Sequence, residues 1–261
     1  MSETHSSVVR RQFGAQAAAY VTSAVHAAGE DLDWIEARLA AVRPASALDL
    51  GCGGGHVSYR AGPHAGRVVA CDLSADMLAA VAAEAERRDL RTIETRQARA
   101  EALPFEAGSF DVVATRFSTH HWSDAAAGLR EAARVLAPGG LFLASDVSSP
   151  GVPLLDTHLQ AVELLRDPSH VRDYGAREWA AMVEVAGLEL RHLSLHRLRM
   201  DFPVWIARMR TPEVAANAIR FLQHQLSEEG RRHFAVEADG SFTLDTIRIE
   251  AIRPGAAGTA G

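Results

Sequence analysis

Four glycines within five positions follow a short apolar run at residues 47–50, in the stretch Gly51-Cys52-Gly53-Gly54-Gly55. Glycine has no Cβ, so such a turn accepts positive φ angles and lets a ligand approach the backbone closely. A turn that joins a strand to a helix lies at the carboxyl edge of the sheet, where open α/β folds bind ligands. The pattern therefore predicts a ligand-binding turn.

The spacing of the glycines separates two classes of ligand. A dinucleotide-binding turn has the pattern G-x-G-x-x-G, but the sixth position counted from Gly51 is His56, which crowds the helix N-terminus that would receive a pyrophosphate. The series is better described as an acid followed by alternating glycines: Asp49, Gly51, Gly53 and Gly55. A ligand without a pyrophosphate fits this series, and a nicotinamide-dependent oxidoreductase stays as the first alternative.

An acidic residue follows the turn at the distance expected for a ribose-binding carboxylate. Asp72 closes the next predicted strand, 21 residues after Gly51. A carboxylate there can accept two hydrogen bonds from a ribose diol, and its charge strengthens both. The alternative is that Asp72 only caps the helix that begins near Ser74.

A second group of reactive side chains follows the fourth predicted strand, in ATRFSTHHWSD at residues 114–124. His120 and His121 are candidate catalytic residues, because a histidine with a pKa near about 6.5 can serve as a general base. The alternative is that both only line a loop before a helix capped by Ser123. Arg116 either pairs with a ligand carboxylate or forms a salt bridge within the fold.

A polar stretch after the fifth predicted strand, RDPSHVRDYGAREW at residues 166–179, contains His170 and Arg172. We expect this stretch near the mouth of the pocket. The alternative is a helix-capping turn that starts at Asp167 and Pro168.

The elements that must position these residues alternate along the chain. Apolar runs predict strands and helical spacing fills most of the intervals, which is typical of an α/β fold with a doubly wound, mostly parallel seven-stranded sheet. The predicted strands span residues 47–50, 67–73, 92–98, 110–117, 141–147, 188–198 and 241–254. If the last strand inserts beside the fifth, residues 201–240 cannot lie in the sheet and form a helical cap at its rim.

Composition narrows the function classes further. The chain has 261 residues, 48% of them hydrophobic, and a formal net charge of -6 at pH 7. It can therefore bury a full core, and it offers no basic field for nucleic acid. All 27 basic residues are arginine, which excludes Schiff-base lysines and P-loops. We expect a small-molecule substrate and no nucleic-acid partner.

Cysteine content and hydropathy indicate the compartment. Cys52 and Cys71 are the only cysteines, too few for a disulfide framework or a thiolate metal cluster. The start MSETHSSVVRRQF lacks the apolar segment of a signal peptide, and no run approaches the roughly 20 apolar residues of a membrane span. These features predict a cytoplasmic protein without a membrane span or a metal site. A homodimer is one arrangement that the sequence leaves open.

Four motifs in a fixed order carry a resemblance to a known family: LDLGCGGG, VVACDLSADML, AEALPFEAGSFDVV and REAARVLAPGGLFL, all within residues 47–146. Together they resemble the class I S-adenosylmethionine-dependent methyltransferases of the methyltransferase type 11 group, which are similar to ubiquinone/menaquinone biosynthesis methyltransferases. The resemblance implies that the glycine turn carries the methionine part of the cofactor and Asp72 the ribose hydroxyls. Leu73 and Met77 would then cover one side of the adenine.

One departure from the family pattern concerns adenine recognition. Arg99 stands where the family often has an aspartate beside the adenine amino group, and arginine cannot accept that hydrogen bond. The Ala100 backbone and Glu101 are the remaining candidates for this contact.

The N-terminal stretch FGAQAAAYVTSAVHAAGEDL resembles the lid segment of the same group, with Tyr20 and His26 at matching places. Such a lid excludes water, and Tyr20 is a candidate cofactor contact. The predicted parts are a helical lid (1–45), an S-adenosylmethionine-binding α/β domain (46–200), a helical cap insertion (201–240), a final strand (241–254) and a disordered tail (255–261).

These observations predict transfer of a methyl group from S-adenosylmethionine to carbon or oxygen of a small, partly apolar organic molecule. Holding the acceptor in line with the methyl group supplies much of the rate, so this reaction needs no metal. A second alternative is a non-catalytic module that binds the cofactor on the same fold.

Overall fold

A mostly parallel sheet runs through the described part of the chain, which in this computed structural model comprises residues 4–14 and 29–255. Its strands are β1 (Ser46–Leu50), β2 (Arg67–Asp72), β3 (Ile93–Gln97), β4 (Phe110–Arg116), β5 (Leu136–Ser149), β6 (Tyr174–Gly175), β7 (Glu189–Met200) and β8 (Phe242–Ile252). The main order is β3-β2-β1-β4-β5-β8-β7, and the short β6 pairs with β5 as an eighth strand. Strands β1 to β5 pair in parallel. β8 runs antiparallel to both β5 and β7, so the predicted fold class is confirmed.

The direction of winding changes at β1, which lies between β2 and β4. At such a switch point the connections leave the two strands toward opposite sides, and a crevice opens at their carboxyl ends. The glycine turn follows β1, and the histidine pair follows β4. Both groups of predicted site residues therefore meet at one edge of the sheet.

Helices cover both faces of the sheet. They are α1 (His5–Gly14), α2 (Glu30–Val42), α3 (His56–Ala61), α4 (Ala75–Arg87), α5 (Ala125–Val135), α6 (Pro153–Arg166), α7 (Ala176–Val185), α8 (Phe202–Arg208), α9 (Glu213–His224) and α10 (Glu228–Phe234), with a 3-10 turn at Thr119–His121. Ser74 caps α4 by accepting from the Met77 N–H. The expectation that Ser123 caps α5 is wrong, because the Asp124 side chain accepts from the Ala127 N–H at 2.8 Å.

Alternate residues of the central strands face two apolar layers. Leu48 and Val113 join Trp179 of α7 on one face, whereas Ala47 and Val112 join α2 on the other. This alternation is the period-two pattern of a strand buried on both faces. The buried layers fix the strand ends, and with them the site.

The segment between β7 and β8 forms the helices α8 to α10. Phe202, Trp205 and Phe234 are buried there and pack against Leu159 of α6, whereas Phe221 is 62% exposed. Most of the cap's aromatic residues thus form its own core. The described helices include none long and apolar enough to cross a membrane. Tyr20, His26 and the tail from residue 256 lie outside the described residues.

Candidate functional site

A cavity of about 770 Å³ lies at the carboxyl ends of β1, β2 and β4. The glycine turn and Asp72 form one side of it, and the histidine pair forms another. Side chains of α1 and of α8, including Phe13 and Trp205, also line the cavity. The structure therefore brings most of the predicted site residues to one enclosed space.

The glycine turn is shaped by two different requirements. At Gly51 the φ angle is +72°, and a Cβ would lie 1.8 Å from the Ser118 Oγ, so this position has no room for a side chain. At Gly53 the φ angle is +47°, and a Cβ would meet nothing within 4 Å although the residue lines the cavity. The open backbone at Gly53 can therefore accept a ligand at close range.

Asp72 connects the turn to the next helix. Its Oδ2 accepts from the Gly53 N–H at 2.9 Å, and its Oδ1 accepts from the Ser74 N–H at 2.8 Å. The cap of α4 is Ser74 rather than Asp72. Each Asp72 oxygen can accept a further hydrogen bond, and its contact with a ribose stays a prediction. Burial raises the pKa of Asp72, while the N–H groups of Ser74 and Gly53 oppose this shift.

Asp49 is buried at the end of β1 and lines the cavity. Its Oδ2 accepts from the Ser58 N–H at 2.9 Å and from the Ser58 hydroxyl at 2.7 Å. Burial raises the pKa of Asp49 to about 7, although the Ser58 hydrogen bonds lower it. Asp49 thus anchors α3 to β1, and its contact with a cofactor stays a prediction.

The residues expected beside the adenine also line the cavity: Leu73, Met77, Ala100 and Glu101. The Glu101 carboxylate accepts from the Ser123 hydroxyl at 2.8 Å. The Arg99 guanidinium donates to that same hydroxyl at 3.0 Å. Protein groups therefore already engage the one acidic side chain available for adenine recognition at this wall.

Arg116 forms an internal ion pair at the end of β4. Its Nη2 donates to the Asp31 Oδ1 of α2 at 3.2 Å, and its Nε donates to the Asp31 Oδ2. The side chain is only 8% exposed. The salt-bridge alternative considered from the sequence is thus present, and a contact between Arg116 and a ligand carboxylate stays a prediction.

His120 is held by a buried carboxylate. Its Nδ1 lies 2.5 Å from the Asp146 Oδ1, and Asp146 also accepts from the backbone N–H groups of Thr119 and Val147, each at 2.9 Å. Burial opposes protonation, but the charge and the hydrogen bond of Asp146 raise the pKa of His120 to about 9. The ring is therefore fixed in orientation at the cavity wall.

His121 has a different environment. Its Nδ1 lies 3.2 Å from the Ser169 carbonyl oxygen, and a carbonyl only accepts, so Nδ1 donates and Nε2 keeps its lone pair. The Nε2 lies 4.0 Å from the Asp167 Oδ2. Burial and the neighbouring His120 lower the pKa of His121 to about 3. The two adjacent histidines therefore differ in both hydrogen bonding and charge.

The stretch expected near the pocket mouth packs directly behind the histidines. The N–H groups of Val171 and Arg172 donate to the His120 carbonyl at 2.8 and 3.3 Å, and Asp167 accepts from the Ser169 N–H at 2.8 Å. The turn that starts at Asp167 is therefore present, and the stretch that contains it also packs against the histidine pair.

Two residues that contact the histidine pair were not predicted from the sequence. α1 reaches the histidines through His5, whose Nε2 donates to the His121 carbonyl at 2.9 Å. Asp146 was also missed, and the only signal for it was its place at the end of the strand beside β4.

A family model described as a methyltransferase domain matches residues 48–144. The Escherichia coli K12 protein YafE is 48% identical over 197 residues, which cover 76% of this chain and 95% of YafE. The methyltransferase YcgJ of Bacillus subtilis 168 is 31% identical over 246 residues, which cover 92% of this chain and 97% of YcgJ. The crystal structure of YcgJ has a TM-score of 0.82 and covers 86% of this chain and 98% of that one, at 30% identity.

A quinone-related enzyme matches over a shorter length. The demethylmenaquinone methyltransferase of Lactococcus lactis subsp. lactis IL1403 is 39% identical over 123 residues, or 46% of this chain and 47% of that enzyme. The similarity to YafE and YcgJ extends over almost their full lengths, whereas the similarity to this enzyme ends at about half.

Proposed function

Because the chain belongs to the class I S-adenosylmethionine-dependent methyltransferases of the methyltransferase type 11 group, we propose that it methylates a carbon or oxygen atom of a small, partly apolar molecule. Its cofactor is S-adenosylmethionine, which when bound supplies the methyl group as an electrophile. A single observation carries the proposal. One cavity joins the open backbone at Gly53 and the Asp72 carboxylate to the histidine pair and to the apolar side chain of Trp205.

The cofactor side of the cavity is assigned residue by residue. Gly53 and Asp49 face the methionine part, Asp72 the ribose, and the wall formed by Leu73, Met77, Ala100 and Glu101 the adenine. Gly51 and Gly55 shape the turn, since a Cβ at Gly55 would lie 2.9 Å from Tyr59 and Val81. Arg116 stabilises the cavity wall through its ion pair with Asp31. The role of Tyr20, outside the described residues, rests on the family resemblance.

The acceptor side is assigned to His120 and His121. The low pKa of His121 keeps the ring neutral, so its Nε2 lone pair can take the proton that an acceptor hydroxyl or acidic carbon loses as its bond to the methyl group forms. The Asp167 carboxylate, 4.0 Å from Nε2, favours the protonated ring that results. The His120 ring, fixed by Asp146, borders the same space. Holding the acceptor in line with the methyl group supplies the larger part of the acceleration.

The acceptor is proposed to be a small molecule rather than nucleic acid, in line with the formal net charge of -6. Apolar side chains from α8 and its C-terminal end, Val204, Trp205 and Met209, line the cavity beside the histidines. They suit an acceptor with an apolar part. We place the reaction in the cytoplasm, where the free thiols of Cys52 and Cys71 stay reduced.

Transfer of labelled methyl groups to panels of quinols, phenols and small carboxylic acids tests the proposal. We expect at least one panel to be methylated, with equimolar S-adenosylhomocysteine formed. Cofactor binding without transfer to any acceptor would favour the non-catalytic module instead. Binding of NADH in calorimetry, with none of S-adenosylmethionine, would favour the oxidoreductase.

A further inference from the structure

Three side chains with metal-binding atoms converge behind the cavity wall. His120 comes from the turn after β4, Asp146 from β5, and Asp173 from the loop before β6. Their potential ligand atoms all lie within 4.8 Å of one another. His120 lines the cavity, whereas Asp146 and Asp173 are 2% and 1% exposed. The group is therefore a buried cluster with one member at the cavity.

Asp173 has an unusual environment for a carboxylate. Both of its oxygens are buried, and neither has a hydrogen-bond partner among residues 4–14 and 29–255. The nearby His170 Nε2 lies 4.0 Å from the Asp173 Oδ2, but it is hydrogen-bonded with the Gln160 Oε1 at 2.9 Å. A buried polar group without a partner destabilises the fold, and a charged one does so more strongly. The fold therefore keeps a buried carboxyl group without hydrogen-bond partners, and one of its oxygens lies within 4.8 Å of ligand atoms of His120 and Asp146.

Acidic side chains also predominate in this region. The buried carboxylates are Asp146, Glu163, Asp167 and Asp173. Arg166 lies among them and is 3.2 Å from the Glu163 Oε2. Burying several carboxylates together is unfavourable unless they bind protons or cations compensate them, and burial raises the pKa of Asp173. A divalent cation between Asp146 and Asp173 would supply that compensation.

We propose that His120, Asp146 and Asp173 bind a divalent first-row transition metal ion, with zinc and manganese as the probes to test. One imidazole and two carboxylates suit such ions, and three protein ligands leave a coordination position open for water or substrate. Ligand atoms about 2.1 Å from a tetrahedral ion lie about 3.4 Å apart, so ligand atoms that now lie up to 4.8 Å apart must approach by up to about 1.4 Å. The His120 Nδ1 and the Asp146 Oδ1, now 2.5 Å apart, must exchange their hydrogen bond for bonds to the ion. His120 brings this site to the cavity wall beside the acceptor space.

Metal binding to the purified, chelator-treated chain is the direct test. We expect isothermal titration calorimetry to give one equivalent of Zn²⁺ or Mn²⁺ for the wild type. Asp173→Asn should weaken binding by more than about 100-fold, since even residues that only support metal ligands change affinity by about 10–100-fold. Asp111→Asn is the matched control at the opposite end of β4, where Asp111 accepts from the Ser46 N–H at 2.9 Å. It should bind metal like the wild type.

Two results would overturn the proposal. One is the absence of binding by the wild type to both ions. The other is equal affinity in the wild type and Asp173→Asn, which would place the metal on surface histidines.

Thermal melting distinguishes a metal ligand from a structural carboxylate. Without metal, Asp173→Asn should melt at or above the wild type, because it removes a buried carboxyl group whose oxygens have no hydrogen-bond partner among the described residues. Zinc should raise the melting temperature of the wild type and leave that of Asp173→Asn unchanged. A variant that melts below the wild type without metal would show that Asp173 supports the fold itself, against the proposal. These measurements involve no methyl acceptor, so their outcome is independent of the proposed methyl transfer.

Discussion

The two sides of the cavity are built from the chain in different ways. The part of the cofactor side assigned to methionine and ribose comes from one continuous stretch, β1-turn-α3-β2, in which the Gly53 N–H reaches Asp72 only 19 residues away. The histidine side joins separate segments, since His120 bonds to Asp146 and His121 to Ser169 across 26 and 48 residues. One site is thus a local motif, whereas the other depends on how distant elements pack.

This difference predicts that variants on the two sides of the cavity have different effects. Changes in the local motif should alter affinity for S-adenosylmethionine, whereas changes in the histidine side should alter turnover and leave that affinity unchanged.

The largest effect is expected for His121→Gln. Loss of the Nε2 lone pair should lower kcat by about 10²–10⁴-fold, the usual contribution of a general base. The dissociation constant for S-adenosylmethionine should stay within about twofold. His158→Gln is the matched control, because His158 lies on α6 against the Phe234 ring and away from the cavity. A His121→Gln enzyme with wild-type kcat would exclude His121 as the base.

Gly51→Ala tests the local motif by steric means. The new Cβ would collide with the Ser118 Oγ and add strain at φ +72°, so affinity for S-adenosylmethionine should fall by roughly 100-fold. Gly139→Ala carries similar strain at φ +80° with nothing within 4 Å, and calorimetry should show unchanged affinity for it. If both variants bind the cofactor equally well, the turn does not need the close packing at Gly51.

Asp72→Ala tests the polar part of the same motif. Removing the carboxylate should weaken cofactor binding by about 1.5–3 kcal/mol, the typical value for hydrogen bonds to a charged group. Asp76→Ala, at an exposed acid in the first turn of α4, serves as the control and should bind normally. Unchanged affinity in Asp72→Ala would mean that the ribose is held elsewhere.

The smallest effect concerns pH and Asp49. Because burial raises the pKa of Asp49 to about 7, this carboxyl group loses its negative charge as the pH falls through neutrality. The negative charge of Asp72 also raises the pKa of Asp49, whereas the Ser58 hydrogen bonds and the Arg116 guanidinium lower it. Affinity for the cationic cofactor should therefore fall about fourfold from pH 8 to pH 6.5, relative to Asp49→Asn.

The ratio of the two affinities isolates Asp49 in this experiment, since the free cofactor titrates identically for both proteins. A ratio that stays constant over this pH range would show that Asp49 does not face the cofactor's positive charge.

Much of the fold followed from local patterns. Strand β2 and the glycine turn were expected where they occur, because a short run of buried apolar residues and missing side chains both act over a few residues. Strand β5 is longer than expected, Leu136–Ser149 rather than 141–147, since its ends pair with strands that are distant in sequence. The α5 cap was misplaced by one residue, because serine and aspartate both cap helices well and Ser123 instead donates to Glu101.

The sequence by itself determined the glycine turn, the place of Asp72 at the end of β2 and the alternation of strands and helices, because these depend on neighbours along the chain. It also placed His120 and His121 at the end of β4. Only the tertiary structure decided that Asp146 holds one histidine and Ser169 the other, and that Asp173 is buried beside them without a partner. Such contacts join segments through the packing of β5 and α6 against the site, and no local pattern specifies which side chains meet there.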